Sequence, residues 1–502
     1  MKMRAYIRYS IWTLVATLWA MLCFLLPDFL DNPVSSVRAG VHIAAYVMAV
    51  GGGSFFLLYL IGLNRSVAAV MLPIYGTLGA VVAYFRVAYH ATITPMVIEA
   101  TLHTNAGTIA GVVDWRLWLW VAGNIAVSVG LLVWRWRLEE PARKGVQVLV
   151  VLLLWAAYYW GNGRLHQSLN QRYPYHVVRS TVEYLQQRHI ESKERLVWPT
   201  AEVSQPDSLT IVFVLGEALR ADHLSLNGYE RQTCPRLSQR DNILSMPHVY
   251  TPYGYTSASV PYLMTPTDSL HPERSSQYHS FVRVLQDYGY YTAWISNQDM
   301  GKTYVAFIHE ADTIVFPNAG KSVFVFEPWY DEELIAPMTA IMQQQSSPRQ
   351  LYVLHAIGSH WYYNNHVPKA YQQFQPLTTN RVIRSNSDEE IRNSYDNTVL
   401  YADAFMDSII GLLEGQCAAV IYLSDHGEAL GENNVYMHGN SEPATLNTAC
   451  VLWYSERYKA LFPDVVATLE AGKEDTCRTD FLFPTILRMA GIKMQDHDEA
   501  AY

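Results

Sequence analysis

The chain has 502 residues, half of them apolar, and carries a formal net charge of −9. That length gives room for two or three domains of roughly 100–200 residues and excludes a small stapled scaffold, while the absence of a sizeable basic block gives nucleic acid no electrostatic foothold. Of five cysteines, Cys23 sits in the first apolar run; Cys234, Cys417, Cys450 and Cys477 leave two disulfides open without revealing a pairing, and none follows a zinc-finger spacing, so structural roles are the default.

Five apolar runs come first: Ile11–Leu26, Val41–Leu63, Val67–Tyr84, Leu117–Trp134 and Val146–Trp160. Each approaches the roughly 17–25 residues a helix needs to cross a bilayer core, which predicts five transmembrane helices. Lys2, Arg4 and Arg8 flank the first as in a signal peptide, but four further spans and no small-residue cleavage site favour an uncleaved anchor. The basic residues Arg65, Arg135, Arg137, Arg143 and Lys144 fall in alternate loops and place those loops and the N-terminus in the cytoplasm. An odd span count then puts everything after about residue 164 on the far side, the periplasm of a Gram-negative cell, with Trp115, Trp134 and Trp160 near the interfaces. The expected organisation is a membrane domain over 1–163, a linker over 164–206 that includes Arg172-Tyr173-Pro174-Tyr175, and a catalytic domain over 207–502.

Within that last segment, strand-like runs at Leu209–Leu215, Thr292–Ile295, Leu351–Leu354 and Ala418–Leu423 alternate with helical patterns such as Asn397–Leu413. The alternation predicts an α/β sandwich around a central, mostly parallel sheet. Three places in it carry chemistry. The run Ile211-Val212-Phe213-Val214-Leu215-Gly216-Glu217 ends a buried strand on an acid, where open α/β sheets gather ligands. Ile421-Tyr422-Leu423-Ser424-Asp425-His426-Gly427-Glu428 ends another on an acid beside an imidazole, an oxygen and nitrogen pair that suits zinc. Gly254-Tyr255-Thr256-Ser257-Ala258-Ser259-Val260-Pro261 is a hydroxyl-rich turn whose Pro261 fits the first turn of a helix, so a hydroxyl there meets an anion-attracting terminus. His355 and His360 upstream of this run and His438 downstream of it lie in glycine-bearing loops. Each feature alone has a plainer reading as a cap, an ion-pair partner or a surface histidine; their conjunction is what points to a site.

Together these segments resemble the phosphoethanolamine transferases of Gram-negative bacteria, including lipid A-modifying and mobile colistin-resistance enzymes, within the alkaline phosphatase and sulfatase superfamily. Gly216-Glu217-Ala218-Leu219-Arg220-Ala221-Asp222-His223-Leu224-Ser225-Leu226-Asn227-Gly228-Tyr229 is similar to the family's GE-x-x-R…NGY segment, and Ser424-Asp425-His426-Gly427-Glu428 to its SDHGE. The resemblance implies Thr256 as the nucleophile that carries phosphoethanolamine. It also implies a zinc site of Glu217, Thr256, Asp425 and His426, with His355, His360 and His438 toward substrate or a second zinc near His360 and His438. Ser259 then assists phosphate binding, and Trp294-Ile295-Ser296-Asn297-Gln298 resembles a substrate-side strand end with Asn297 as its contact. Met96–Asn105 resembles a substrate-contact helix, giving Glu99, Thr104 and Asn105, although Gly107 and Thr108 stand where the family often has an acid.

The likeness implies a monomeric, multi-pass inner-membrane enzyme with a periplasmic catalytic domain. Such an enzyme takes its group from phosphatidylethanolamine and passes it to lipid A or a lipopolysaccharide core sugar, the modification tied to polymyxin resistance. A phosphoglycerol transferase or a sulfatase of the same superfamily is the alternative, against which the Asn227-Gly228-Tyr229 segment argues. Relatives often brace the nucleophile loop with a disulfide; no cysteine flanks Thr256, so rigidity there must have another source.

Overall fold

The computed structural model of the chain describes residues 2–29, 37–89, 93, 95, 98, 115–140, 143–161, 163–191, 194–202, 204, 206–298, 300, 303–319, 328–380, 383–440 and 442–495. They fall into two compact units, one up to Leu185 and one from Gln186–Ala319 and from Pro328 onward.

The first unit is helical. Among the described residues, four helices are long and apolar enough to cross a membrane: Arg4–Leu25, Gly40–Gly62, Arg65–Val87 and Trp115–Arg137. Lys144–Trp160, where a fifth span was expected, is an apolar helix of 17 residues and shorter than the others. Some polar groups inside the unit pair between helices, as a low-dielectric interior favours. Trp12 donates to the carbonyl of Leu131 at 2.8 Å, and Trp19 to Asn124 Oδ1 at 2.9 Å. The segment read as a linker is largely helical, with helices Gly163–Asn170 and Tyr175–Glu191.

The second unit is built on a seven-stranded mixed sheet, in the order Ile243–Met246, Cys450–Tyr454, Ala418–Ser424, Leu209–Gly216, Arg349–His355, Tyr291–Ser296, Thr313–Val315. The last five pair in parallel, whereas both pairings of Cys450–Tyr454 are antiparallel. Leu209–Gly216 and Ala418–Ser424 are buried along their whole length, which explains their unbroken apolar sequence: both faces of the sheet are covered. Alternate residues serve alternate cores, with Ile211, Phe213 and Leu215 on one face and Val212 and Val214 on the other. The long helix Asp388–Leu413 starts nine residues before the expected Asn397, at a capping box in which Ser387 and Glu390 exchange side-chain and backbone hydrogen bonds.

Register is what gathers the chemistry. Gly216 lies opposite Ser424, and His355 opposite both Leu215 and Ser296, so the strands bearing Glu217, Asp425, His355 and Gln298 end along one edge of the sheet. All five cysteines are free.

Candidate active site

Glu217 leaves the central strand and the chain turns at once: Ala218 has φ of 56°, an uncommon conformation for a residue with a side chain. The turn is held on several sides. Ala218 N–H donates to Asp425 Oδ1 at 3.3 Å, Leu219 N–H to Ser424 Oγ at 2.8 Å, and Arg220 N–H to the Tyr395 hydroxyl at 2.9 Å, which donates in turn to Ala218 O at 2.7 Å. Gly358 passes so close that a Cβ there would sit 2.7 Å from Glu217 O, and its φ of 52° favours glycine independently.

Thr256 opens the helix Thr256–Met264. Pro261 therefore lies in the second turn, not in the first as expected: the helix begins five residues earlier, at the hydroxyl-bearing residues. Thr256 Oγ1 donates to Glu217 Oε2 at 3.0 Å and lies 3.3 Å from His426 Nε2. The same nitrogen is 3.2 Å from Glu217 Oε1 and 3.5 Å from Asp425 Oδ2. Glu217, Thr256, Asp425 and His426, brought together in the sequence only by resemblance, thus converge around one imidazole nitrogen.

The electrostatics of this knot call for a cation. Glu217 Oε1 and Asp425 Oδ2 are buried and accept no hydrogen bond, an arrangement that is costly unless positive charge faces it. Burial alone would raise the Glu217 carboxyl, but the His426 imidazole outweighs it and holds the carboxyl below the usual range. Burial and the neighbouring Glu217 push Asp425 up instead. Burial works against the charged form of His426 as well, yet the two carboxylates raise it well above an ordinary imidazole. Its Nδ1 donates to Gly427 O at 2.8 Å, which leaves Nε2 toward the carboxylates in the way a metal-bound histidine is held. A carboxylate and imidazole donor set fits zinc. Glu217, His426 and His438 also offer ligand atoms within 4.8 Å of one another.

The remaining expected residues divide. His438 joins the site: its ring centroid is 4.6 Å from that of His426, and its Nδ1 is fixed by Glu428 Oε2 at 2.8 Å. Burial opposes protonation of His438, but the Glu428 carboxylate outweighs it and the imidazole titrates above its ordinary range. His360 stacks edge-on near His438 at 5.6 Å, with Nδ1 bound to Trp361 O. His355 is packed behind the site between Trp294 and Tyr304, its Nδ1 3.3 Å from Ser296 Oγ, and burial pushes it down to about 4.

Two of the expected residues are engaged with protein groups in this structure. The Ser259 hydroxyl is fully buried and donates to Tyr253 O at 2.7 Å, which braces the loop ahead of Thr256 where no disulfide does so. Asn297 turns away from the site, donating to Asp331 Oδ1 at 2.9 Å and accepting from Asn318. Its neighbour Gln298, its backbone clasped by Ser296 Oγ just past the strand end, reaches Glu217 Oε2 at 2.9 Å. Glu99, Thr104 and Asn105 lie outside the described residues.

Sequence reasoning did not single out Gln298, Glu428 or Asp331. Glu428 was visible in the Asp425-His426 run; it accepts from the Tyr363 hydroxyl at 2.9 Å and aims His438. Asp331 accepts from the N–H groups of Ile357 and Gly358 at 2.8 and 2.9 Å, and no local pattern announced it. The Asn227-Gly228-Tyr229 segment is scaffolding: Tyr229 donates to Asp396 of the long helix at 3.0 Å, as does Arg231 at 2.8 Å.

Comparison with known proteins adds to the geometry. The profile described as Sulfatase matches residues 210–492, and that described as Phosphoethanolamine transferase EptA/EptB matches residues 53–189. The chain is similar to phosphoethanolamine transferase EptA of Salmonella typhimurium, with 27% identity over 528 residues, 96% of this chain and 94% of that protein. It is similar also to the Kdo(2)-lipid A phosphoethanolamine 7''-transferase of the same organism, 25% identical over 84% of this chain and 81% of that one. In fold it matches the integral membrane lipooligosaccharide phosphoethanolamine transferase A of Neisseria meningitidis, with a TM-score of 0.53 and 20% identity over 98% of this chain and 97% of that chain.

Proposed function

The chain belongs to the sulfatase family, and on that footing we propose that it transfers phosphoethanolamine from phosphatidylethanolamine to a lipopolysaccharide acceptor, a lipid A phosphate or a core sugar. The observation that carries this reading is the position of Thr256 Oγ1 at a helix N-terminus, 3.0 Å from Glu217 and 3.3 Å from His426, beside two buried carboxylate oxygens that accept no hydrogen bond. The names of the relatives supply the group transferred, and one of them supplies lipid A as acceptor.

Glu217, Asp425, His426 and Thr256 would hold zinc, with His438 at its margin. Bound there, zinc supplies positive charge that lowers the pKa of a hydroxyl and offsets charge on phosphate oxygens. Thr256 Oγ1 attacks phosphorus; the bond from Oγ1 to phosphorus forms as that to the glycerol oxygen breaks. The threonine proton is delivered to the departing diacylglycerol oxygen, with His438, whose ring lies beside that of His426, and its neighbour His360 as the imidazoles that carry it. The first helical turn of Thr256–Met264 presents backbone N–H groups to the phosphate. The acceptor oxygen then attacks phosphorus, the bond from phosphorus to Oγ1 breaks, and the acceptor's proton passes to Oγ1 to restore the Thr256 hydroxyl, giving ping-pong kinetics.

We take Lys144–Trp160 as a fifth span, since 17 residues rise about 25 Å, close to a bilayer core of roughly 30 Å. With domains at 1–163, 164–206 and 207–502, the odd count and the basic loops leave the catalytic domain in the periplasm, where both lipids are accessible.

The full chain in detergent, incubated with zinc and fluorescent phosphatidylethanolamine, should release diacylglycerol. Turnover of phosphatidylglycerol in place of phosphatidylethanolamine would instead make this a phosphoglycerol transferase.

A further inference from the structure

Gln298 sits just past the end of the strand Tyr291–Ser296, and its backbone is clasped there. Its N–H donates to Ser296 Oγ at 3.1 Å, and that hydroxyl donates to Gln298 O at 2.9 Å. The side-chain amide carries two hydrogens, and both are used: Nε2 donates to Glu217 Oε2 at 2.9 Å and to Ala356 O at 3.1 Å. Ala356 follows the strand Arg349–His355, and its own N–H donates to Leu215 O at 2.9 Å, so the amide is anchored to the two neighbouring strand ends from which the site is built.

The consequence falls on the two oxygens of Glu217. Oε2 takes the amide and the Thr256 hydroxyl, while Oε1 is buried, unbonded and 3.2 Å from His426 Nε2. We propose that Gln298 is a positioning residue that fixes the rotation of the Glu217 carboxylate, so that Oε1 is the oxygen presented to the cation. This rests on the reading of Glu217 as a zinc ligand. A carboxylate at this position would face Glu217 with like charge, and an apolar side chain would leave Oε2 free to swing toward the cation in its place.

The test is zinc affinity, measured on the full chain in detergent by competition with a chromophoric chelator, alongside kcat and KM for phosphatidylethanolamine. Gln298→Glu keeps the shape and removes both donors; Gln298→Met keeps the length without charge and serves if the first variant misfolds. Both should raise the zinc Kd by roughly 10–100-fold, the usual effect of losing a hydrogen-bond partner of a metal ligand, with kcat reduced at subsaturating zinc and KM little changed. An unchanged zinc Kd would overturn the proposal, whether KM rises, as for a direct substrate contact, or the metal-free protein melts earlier, as for a merely structural residue. A wild-type chain that takes up no zinc defeats the functional reading itself, a result distinct from either.

Discussion

The Ser259 hydroxyl donates to the carbonyl of Tyr253 at 2.7 Å, tying the helix that Thr256 opens to the loop three residues ahead of it. Thr251 Oγ1 lies 3.2 Å from the same hydroxyl, so one buried side chain closes the loop on itself. Ser259→Ala removes the shorter of two hydrogen bonds to Tyr253 O and leaves that from Thr251 Oγ1 at 3.2 Å, which should cost about 1 kcal/mol. Thermal unfolding should show the loss, and kcat should fall with KM little changed. A raised KM with unaltered melting would return Ser259 to the role of phosphate contact.

Asn297 and Gln298 are adjacent and do different work. Asn297→Ala should loosen Asp331, which holds the N–H groups of Ile357 and Gly358 and with them the loop leading to His360. We expect a stability loss of about 1–3 kcal/mol from the one hydrogen bond removed from this buried carboxylate, read in denaturant melts, with zinc affinity within about twofold of wild type. A large loss of zinc affinity in this variant would mean that the two neighbours share one role.

The exchange of roles between these two residues marks what the sequence carries and what it does not. Buried strands are legible because both faces of the sheet are covered: Leu209–Gly216 and Ala418–Ser424 stand out as unbroken apolar runs, and the acids ending them can be named. Cys450–Tyr454 is just as apolar but has nothing chemical after it to draw notice. Side-chain direction past a strand end depends on local turns: Ser296 clasps the backbone of Gln298, and a clasp of this kind has no periodic signature. Ser259 suggests a phosphate contact because its hydroxyl is visible in the sequence, whereas its acceptor, a backbone carbonyl, is not. Asp331 and Asp396 act across more than twenty residues of sequence, beyond the reach of any motif.

Metal removal should register on stability before activity is considered. Two buried carboxylate oxygens without hydrogen bonds oppose folding unless a cation offsets them. Adding zinc to the chelated chain at a hundredfold excess over its Kd should stabilise it by about 2.7 kcal/mol, seen as a rise in Tm, and Glu217→Gln or Asp425→Asn should each diminish that rise. A Tm indifferent to zinc in the wild-type chain would remove the metal from the account.

Glu428 aims His438 and accepts from Tyr363, so Glu428→Gln should lower kcat by roughly 10–100-fold while leaving Thr256 able to react. Rapid quenching should catch the slower step as delayed diacylglycerol release. Full activity in this variant would take His438 out of proton transfer.

The most direct test is the intact mass of the full chain after incubation with phosphatidylethanolamine and no acceptor. The predicted result is one added phosphoethanolamine group, mapped by fragmentation to Thr256 and absent in Thr256→Ala. An adduct on another residue, or turnover retained by Thr256→Ala, would contradict the account.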